Sequence, residues 1–154
     1  MTPIIRRGES ADLPAIRQLL DKAGLPTSDL TTADGIQTWV FEASPSLVAV
    51  IGLERFGEEA LLRSLAVAPE HRGRGLGREL VARVERDANA GGVARLVLLT
   101  QTAEAFFRDL GYSVTDRRNV SDGVRQSAEF RSLCPASAVC MSKALQPSRP
   151  QWPI

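Results

Sequence analysis

The amino-acid sequence predicts a mixed α/β (α+β) domain whose central sheet is mostly antiparallel but contains one parallel strand pair. The strand–helix–strand pattern between residues 60 and 100 requires a right-handed crossover, and such a crossover makes its two strands parallel. Apolar stretches separated by turn residues before residue 60, and a hairpin after residue 110, favour antiparallel neighbours. The 154 residues, 44% of them hydrophobic, suffice for one compact core.

The first part of the chain is expected to form one helix and four strands. Ser10 or Asp12 can cap the helix, whose apolar residues recur at three- and four-residue spacing up to Gly24. Residues 26–35 are polar and leave room for one short helix. The strands, each bounded by turn residues, are expected over residues 3–7, 36–43, 47–56 and 60–67.

Helices and strands are expected to alternate in the remainder of the chain. Leu76, Leu80 and Val84 lie on one face of a long helix, which Gly91 ends. The apolar run over residues 96–99 is typical of a strand covered on both faces, so that strand is expected to be central. The other predicted elements are a helix over 103–110, strands over 112–116 and 137–144, and a loop of about 20 residues between those two strands.

Composition and charge exclude several classes of protein. One domain is expected over residues 1–145, followed by a disordered tail over 146–154 that contains three prolines. The formal net charge of +1 gives no field that would concentrate nucleic acid or a membrane surface, so neither partner is expected. No segment has the ~20 apolar residues of a membrane span or the pattern of a secretion signal. These features predict a cytoplasmic protein.

The sequence predicts no metal site. The two cysteines, Cys134 and Cys140, and the single histidine, His71, lack the spacing of metal ligands. The cysteines invite a metalloid interpretation, since trivalent arsenic prefers thiolates. If both lie on one extended strand, however, they stand ~20 Å apart and cannot bind one ion. Buried cysteines are therefore the favoured interpretation.

A glycine-rich loop over residues 72–78 carries the clearest chemical signal. Gly73, Gly75 and Gly77 have no side chains, so backbone N–H groups at the helix start can approach a ligand closely. The helix dipole adds about half a positive charge there. Three arginines surround the same opening: Arg72, Arg74 and Arg78. A pyrophosphate is the ligand that this pattern favours.

Other interpretations of this loop fit less well. The dinucleotide pattern Gly-x-Gly-x-x-Gly has another spacing and needs an acidic residue near the end of the next strand, which here ends in Leu99 and Thr100. The mononucleotide P-loop needs Gly-Lys-Ser/Thr, which does not follow here. Considered alone, the loop also fits a plain turn with solvated arginines.

Two segments resemble the cofactor signature of the GNAT superfamily of acyltransferases. Arg72, Gly75 and Gly77 match its spacing Arg/Gln-x-x-Gly-x-Gly/Ala, a few residues after an apolar-Ala-Val triplet. Residues 103–112 resemble its second segment, an alanine followed by an aromatic pair and Gly-Tyr. The resemblance implies the GNAT fold, in which the two parallel strands splay apart at an acetyl-CoA site.

The resemblance also implies how acetyl-CoA would bind as a co-substrate. Its pantetheine arm would pair with the backbone of residues 65–67, its pyrophosphate would lie on the N–H groups of residues 72–77, and His71 would be adjacent. A homodimer is a further expectation from the family. The cofactor-binding residues expected are Leu65, Ala66, Val67, Arg72, Gly73, Arg74, Gly75, Leu76, Gly77, Arg78, Thr100, Phe106 and Phe107.

A base has to deprotonate the acceptor, because amines are mostly protonated at neutral pH. Many members of the superfamily keep a carboxylate at the start of the strand before the loop, where this chain has Leu61 and Leu62. Glu54 on the neighbouring strand is the candidate base. The alternative is that Glu54 only pairs with Arg55 or Arg63.

The acid that the family uses, a tyrosine at the second position of the aromatic pair, is replaced here by Phe107. A phenylalanine cannot donate a proton to the departing thiolate. Either the thiolate leaves unprotonated, or Ser64, Tyr112 or Cys134 supplies the proton.

Residues 52–54, 61–67 and 130–138 resemble the small GNAT proteins of arsenic-resistance operons, whose neighbours acetylate glutamate-like toxins such as arsinothricin and phosphinothricin. The resemblance implies a small anionic amino-acid-like acceptor and a role in resistance or detoxification. The candidate substrate-binding residues are Arg63, Arg131 and Cys134. Further arginines, either clamping an anion or merely solvated, are Arg117, Arg118 and Arg125. Two other functions stay open: a non-catalytic acyl-CoA sensor, and a protein N-terminal or lysine acetyltransferase.

Overall fold

The structure is a computed structural model that describes residues 4–25, 27, 35–133 and 137–145. Its strands are β1 (Ile4–Arg7), β2 (Ile36–Ala43), β3 (Ser46–Phe56), β4 (Glu59–Val67), β5 (Arg95–Thr100), β6 (Ser113–Val114) and β7 (Val139–Ala144). They form one sheet in the order β1-β2-β3-β4-β5-β7-β6. Only β4 and β5 pair in parallel among these strands. The predicted fold class is confirmed.

Within the described residues, four α-helices accompany the sheet: α1 (Leu13–Lys22), α2 (Leu76–Ala90), α3 (Glu104–Asp109) and α4 (Asp122–Arg125). A 3-10 turn over Ser10–Asp12 precedes α1, and within it the Asp12 carboxylate accepts the backbone N–H of Glu9 at 2.7 Å. Of the two predicted capping residues, Asp12 and not Ser10 directly precedes α1. Further 3-10 turns lie at Pro69–His71 and Arg117–Asn119, and a π-helix covers Glu129–Leu133.

The loop predicted between the last two strands is wrong, because residues 117–133 contain a 3-10 turn, α4 and the π-helix. Helical pieces of three to five residues are too short to display an apolar period. The strand predicted over 112–116 shrinks to Ser113–Val114, since the Tyr112 N–H bonds back to the Phe107 carbonyl of α3 at 3.0 Å. The short helix allowed within 26–35 and the disorder expected over 146–154 lie outside the described residues.

The two faces of the sheet are covered by different elements. Helix α2 packs its apolar stripe against one face, where Leu80 and Val84 meet Trp39 and Ile51. Helix α1 covers part of the other face through Ile16. The 117–133 segment covers the rest of that face with Val120 and Val124, which pack around Leu61, Val97 and Cys140. Strand β4 is thus covered on both faces, and its last residues lie beside a cavity.

Cys140 is buried in this packing, as predicted for a structural cysteine, and burial raises the pKa of its thiol. Cys134 lies outside the described residues. Within the described ranges, no group of three or more His, Cys, Asp or Glu side chains is placed to hold a metal ion. No helix there has the length and apolar character needed to cross a membrane.

Candidate active site

The parallel strands β4 and β5 separate part-way along their length. They pair at Glu59 with Arg95, Ala60 with Leu96 and Leu61 with Val97. Beyond that point β4 continues to Val67 and β5 continues to Thr100 without further described pairing between them. A cavity of about 970 Å³ opens in the gap.

A β-bulge in β4 lies just beyond the point where the strands separate. Val50 of β3 faces Ala66 and Gly52 faces Arg63, so Ser64 and Leu65 together oppose Ile51. Ser64 has φ +58°, a left-handed conformation rare for residues other than glycine. Bulges bend a strand and change the direction of its side chains, and they occur often beside active sites.

Beyond the bulge, the backbone of Val67 faces the gap. The N–H of Ala68 donates to the carbonyl of Val48 at 2.8 Å, which turns that residue toward β3. Because successive residues of a strand point their polar groups to opposite sides, the N–H and C=O of Val67 point toward β5. The Arg72 Nε–H reaches the Val67 carbonyl from that side at 3.1 Å. An extended amide-bearing ligand can pair with this edge.

The glycine-rich loop forms the outer end of the cavity. Gly73 and Gly75 have φ +78° and +80°, and Gly75 is the N-cap of α2. Both positions therefore need glycine. At Gly77 a Cβ atom would lie 3.4 Å from Phe106 Cζ and 3.8 Å from Val67 Cγ2, so the missing side chain keeps space open between α2 and α3.

Most of the residues predicted to bind the cofactor line this one cavity, as does His71. The exception is Arg74, which is exposed and absent from the lining. Thr100 lines the opposite wall, where its hydroxyl accepts the Ala103 N–H at 3.0 Å. The contact of these lining residues with acetyl-CoA stays a prediction.

The inner end of the cavity holds a buried charged cluster that we call the Arg63 cluster: Glu54, Arg63, Ser64 and Glu129. The Arg63 side chain is 0% exposed. One terminal nitrogen lies 3.6 Å from Glu54 Oε1, and Nε lies 3.9 Å from Glu129 Oε1. The same Nε–H donates to Ser64 Oγ at 3.1 Å. Three of these residues line the cavity, but Glu54 is not among the lining residues.

The structure thus changes the set of candidate bases. Glu54, predicted as the base, lies beside Arg63, which was the alternative interpretation of its role. Glu129 is the acidic side chain on the cavity wall within the described residues, and the sequence analysis missed it. No motif surrounds Glu129, and it lies in the segment expected to be a loop.

The predicted acids have different outcomes. Tyr112 is buried and donates its hydroxyl to Glu85 Oε2 at 2.8 Å, away from the cavity lining. Burial and the negative charge of Glu85 raise the pKa of Tyr112. Because its hydroxyl bonds to Glu85 and Tyr112 is not among the lining residues, the structure does not support Tyr112 as the acid. Ser64 lines the cavity and stays a candidate. Phe107 also lines it, packed edge-on against Phe106 at 5.0 Å between ring centroids.

The arginines expected to clamp an anion do not come together. Arg118 pairs with Asp116 at 2.9 Å, and Arg125 pairs with Asp122. Arg117 donates to the Ala138 carbonyl at 2.8 Å. None of these three side chains is among the residues that line the cavity, so the structure gives no support to a clamp that includes them. Arg131 is exposed and does not line the cavity either.

A family model described as an acetyltransferase (GNAT) domain matches residues 34–114, which include β4, the glycine-rich loop and α3. The chain belongs to the GNAT acetyltransferase family. The separated parallel strands and the glycine loop are the parts of the GNAT fold that form its cavity here.

Three similar proteins sharpen the comparison. An amino-acid acetyltransferase of Mycobacterium tuberculosis is 30% identical over 115 residues, which cover 69% of this chain and 66% of the relative. A solved Mycobacterium tuberculosis protein in complex with CoA has a TM-score of 0.77 at 26% identity, covering 94% and 100% of the two chains. The chain therefore spans about two thirds of the curated relative.

N-acetylglutamate synthase of Neisseria gonorrhoeae, solved with coenzyme A and N-acetyl-glutamate, has a TM-score of 0.78 at 19% identity. The alignment covers 95% of this chain but 36% of the synthase chain. This similarity concerns the fold.

Proposed function

We propose that this chain is an acetyl-CoA-dependent N-acetyltransferase that acetylates the amine of a small amino-acid-like compound. The observation that carries the proposal is one continuous cavity, which runs from the glycine loop of the family signature to the buried Arg63 cluster. The similarity to an amino-acid acetyltransferase supports the class of acceptor. A CoA complex of a similar structure supports acetyl-CoA as donor.

The cavity fits acetyl-CoA in one direction. Its outer end offers the first N–H groups of α2 together with Arg72 and Arg78, which suit the pyrophosphate. A pantetheine arm that starts there and follows Val67 back along β4 reaches the bulge at Ser64 with its thioester. Backbone N–H groups at a bulge can stabilise the oxyanion that develops during acyl transfer. The volume of about 970 Å³ leaves room for a small acceptor.

A finer proposal names the acceptor as a glutamate-like compound with an anionic side chain, of the arsinothricin or phosphinothricin type, acetylated for resistance or detoxification. Its support is the resemblance to the proteins of arsenic-resistance operons, together with Arg63 at the inner end of the cavity. Glu54 and Glu129 offset the charge of Arg63, so an anionic acceptor has to compete with them.

Thiol release from acetyl-CoA tests the function with L-glutamate, L-glutamine, phosphinothricin and a short peptide as acceptors, beside calorimetric binding of acetyl-CoA. We expect turnover on the amino-acid-like acceptors. Turnover on glutamine alone would refute the anionic acceptor, and turnover on the peptide alone would indicate a protein acetyltransferase. Acetyl-CoA binding without turnover on any amine would indicate a sensor, which Phe107 in place of the usual tyrosine favours.

The glycine loop can be tested separately with Gly75→Asp. Gly57→Asp is a matched control, since Gly57 also has a left-handed backbone at φ +69° and open space around its Cα, in a turn outside the cavity lining. Both variants carry a backbone penalty of about 1–2 kcal/mol. Only Gly75→Asp adds negative charge at the α2 N-terminus, so we expect it alone to weaken acetyl-CoA binding, by roughly 100-fold. Equal affinities in the two variants would refute the assignment.

A further inference from the structure

We propose that Glu129 is the catalytic base of this site, and that Arg63 is a positioning residue that holds the Glu129 carboxylate beside the bulge in β4. The inference rests on the proposed N-acetyltransferase function. Glu129 thereby replaces Glu54 as the candidate base.

The first support is the position of the carboxylate. Glu129 lines the cavity, and its side chain is 6% exposed. Arg63 Nε lies 3.9 Å from its Oε1 and donates to Ser64 Oγ at 3.1 Å, so one guanidinium links Glu129 to the bulge. This is the end of the cavity where the thioester of the proposed donor lies. Glu54 contacts the same guanidinium but is not among the residues lining the cavity.

The second support is the element that carries Glu129. The π-helix over Glu129–Leu133 begins at this residue, and such turns occur frequently at functional sites. Ser127, just before it, is buried and bonds to both sides: its hydroxyl donates to the Val124 carbonyl at 2.6 Å and accepts the Phe130 N–H at 3.4 Å. The end of α4 thus fixes the start of the π-helix.

The same segment is also attached to the paired end of β4 and β5. Glu59 Oε1 accepts the Ser121 N–H at 2.8 Å, and Arg95 donates to the Asn119 carbonyl at 2.8 Å. These bonds hold the start of the 117–133 segment on the sheet. The bonds at Asn119, Ser121 and Ser127 thus fix the chain that leads into Glu129, and a base must be fixed in this way to meet a substrate at a defined distance.

The third support is charge. Glu129 supplies the acidic side chain on the described part of the cavity wall. A carboxylate there attracts the cationic ammonium that an amine acceptor presents at neutral pH.

The proposed step is balanced as follows. The ammonium gives one proton to the Glu129 carboxylate, which later passes it to water. The neutral nitrogen then attacks the acetyl carbon, a C–N bond forms, and the C–S bond breaks with its electron pair remaining on sulfur. The second proton lost by nitrogen neutralises the departing thiolate, so the products are the N-acetyl compound, free coenzyme A and one proton in solution.

Glu129→Gln tests the inference, with kcat/KM measured from pH 6 to 10 on the fastest acceptor among L-glutamate, L-glutamine, phosphinothricin and the peptide. We expect a loss of roughly 100-fold at pH 7, typical of removing a general base. The deficit should shrink as pH rises and the amine deprotonates in solution. Acetyl-CoA affinity should stay within about threefold of wild type, because Glu129 lies at the far end of the cavity.

Glu58→Gln is the matched control, since it removes an exposed carboxylate from the β3–β4 turn and should leave the profile unchanged. Glu129→Asp guards against misfolding, because it keeps the charge while withdrawing the carboxylate by one methylene. We expect it to lose roughly tenfold in kcat with acetyl-CoA binding intact. A Glu129→Gln profile that parallels wild type, or equal losses in Glu129→Gln and Glu129→Asp, would overturn the inference and leave the proposed function standing. Absence of turnover by wild type on every amine would overturn both.

Discussion

The Arg63 cluster and a second cluster, formed by Arg6, Asp12 and Glu42 and called here the Arg6 cluster, each place one arginine between two carboxylates. Their geometry differs. At the surface, Arg6 donates to both carboxylate oxygens of Asp12 at 2.9 Å and to Glu42 at 3.0 Å. Its side chain is 30% exposed. In the interior, Arg63 is fully buried, and its ion-pair distances to Glu54 and Glu129 are 3.6 and 3.9 Å.

The difference separates a structural cluster from a functional one. Arg6 joins β1, the turn before α1 and β2, and close bidentate contacts suit that task. Arg63 borders the cavity, and its separations from both carboxylates are longer than those of Arg6. Burial makes the Arg63 cluster costly to disturb, whereas exposure makes the Arg6 cluster a modest contributor.

The largest expected effect distinguishes the clusters by stability. Arg63→Met leaves two carboxylates near a buried apolar side chain, and breaking a buried ion pair in this way costs about 3–5 kcal/mol. Arg6→Met should cost about 1 kcal/mol, since water can solvate its partners. Urea unfolding of both variants measures the free energies. Equal losses would show that burial does not distinguish the clusters.

A smaller effect is expected at the hydrogen bond between Tyr112 and Glu85, and it tests whether Tyr112 takes part in catalysis. Tyr112→Phe removes the hydrogen bond to Glu85 and should lower the free energy of unfolding by about 1–2 kcal/mol. Turnover should stay within twofold, because Tyr112 does not reach the cavity lining. Thermal unfolding and thiol release measure the two quantities. A large loss of kcat with intact acetyl-CoA binding would restore Tyr112 as an acid.

The Arg6 cluster should also be sensitive to acid. Hydrogen bonds from Arg6 lower the pKa of Asp12 below its ordinary value near 4. A depressed pKa in the folded state means that this stabilisation is complete above the unfolded pKa and is lost as pH falls through the folded one. Asp12→Asn should therefore be less stable than wild type by about 1 kcal/mol at pH 7. The gap should narrow as pH falls below about 4 in urea unfolding, and a gap that persists in acid would contradict the ion-pair origin.

The smallest effect concerns an arginine that belongs to neither cluster. Arg118 pairs with Asp116 in full contact with solvent, so Arg118→Ala should leave the free energy of unfolding close to the wild-type value. It should leave the KM of every acceptor unchanged. A raised KM for phosphinothricin alone would reinstate Arg118 in the anion clamp. Steady-state kinetics with glutamine as the neutral comparison makes the measurement.

The outer end of the cavity could be predicted from the sequence because its determinants are local. Gly73, Gly75 and Gly77 lie within one loop, and the backbone geometry they permit is a property of glycine itself. The fold followed from the crossover rule and the apolar run of β5 for the same reason. Each signal needed only neighbouring residues.

The inner end could not be predicted, because its members meet only through tertiary contacts. Glu129 comes from a five-residue π-helix with no apolar period, and it joins Arg63 across the sheet surface. The pairing of Glu54 with Arg63 could be predicted as one alternative, because the two residues lie on the adjacent strands β3 and β4. The bulge at Ser64 had no signature, since a left-handed serine looks like any other serine in the sequence.

The place of β7 in the sheet has a consequence for synthesis of the chain. β7 inserts between β5 and β6 although it follows both in the sequence. During synthesis, β5 and β6 leave the ribosome before β7, the strand that pairs with both. The apolar edge of β5 around Leu98 therefore stays unpaired until β7 has been made. Such edges invite association with other chains. A translational pause between residues 114 and 139 should therefore expose the nascent chain to aggregation or to chaperone capture.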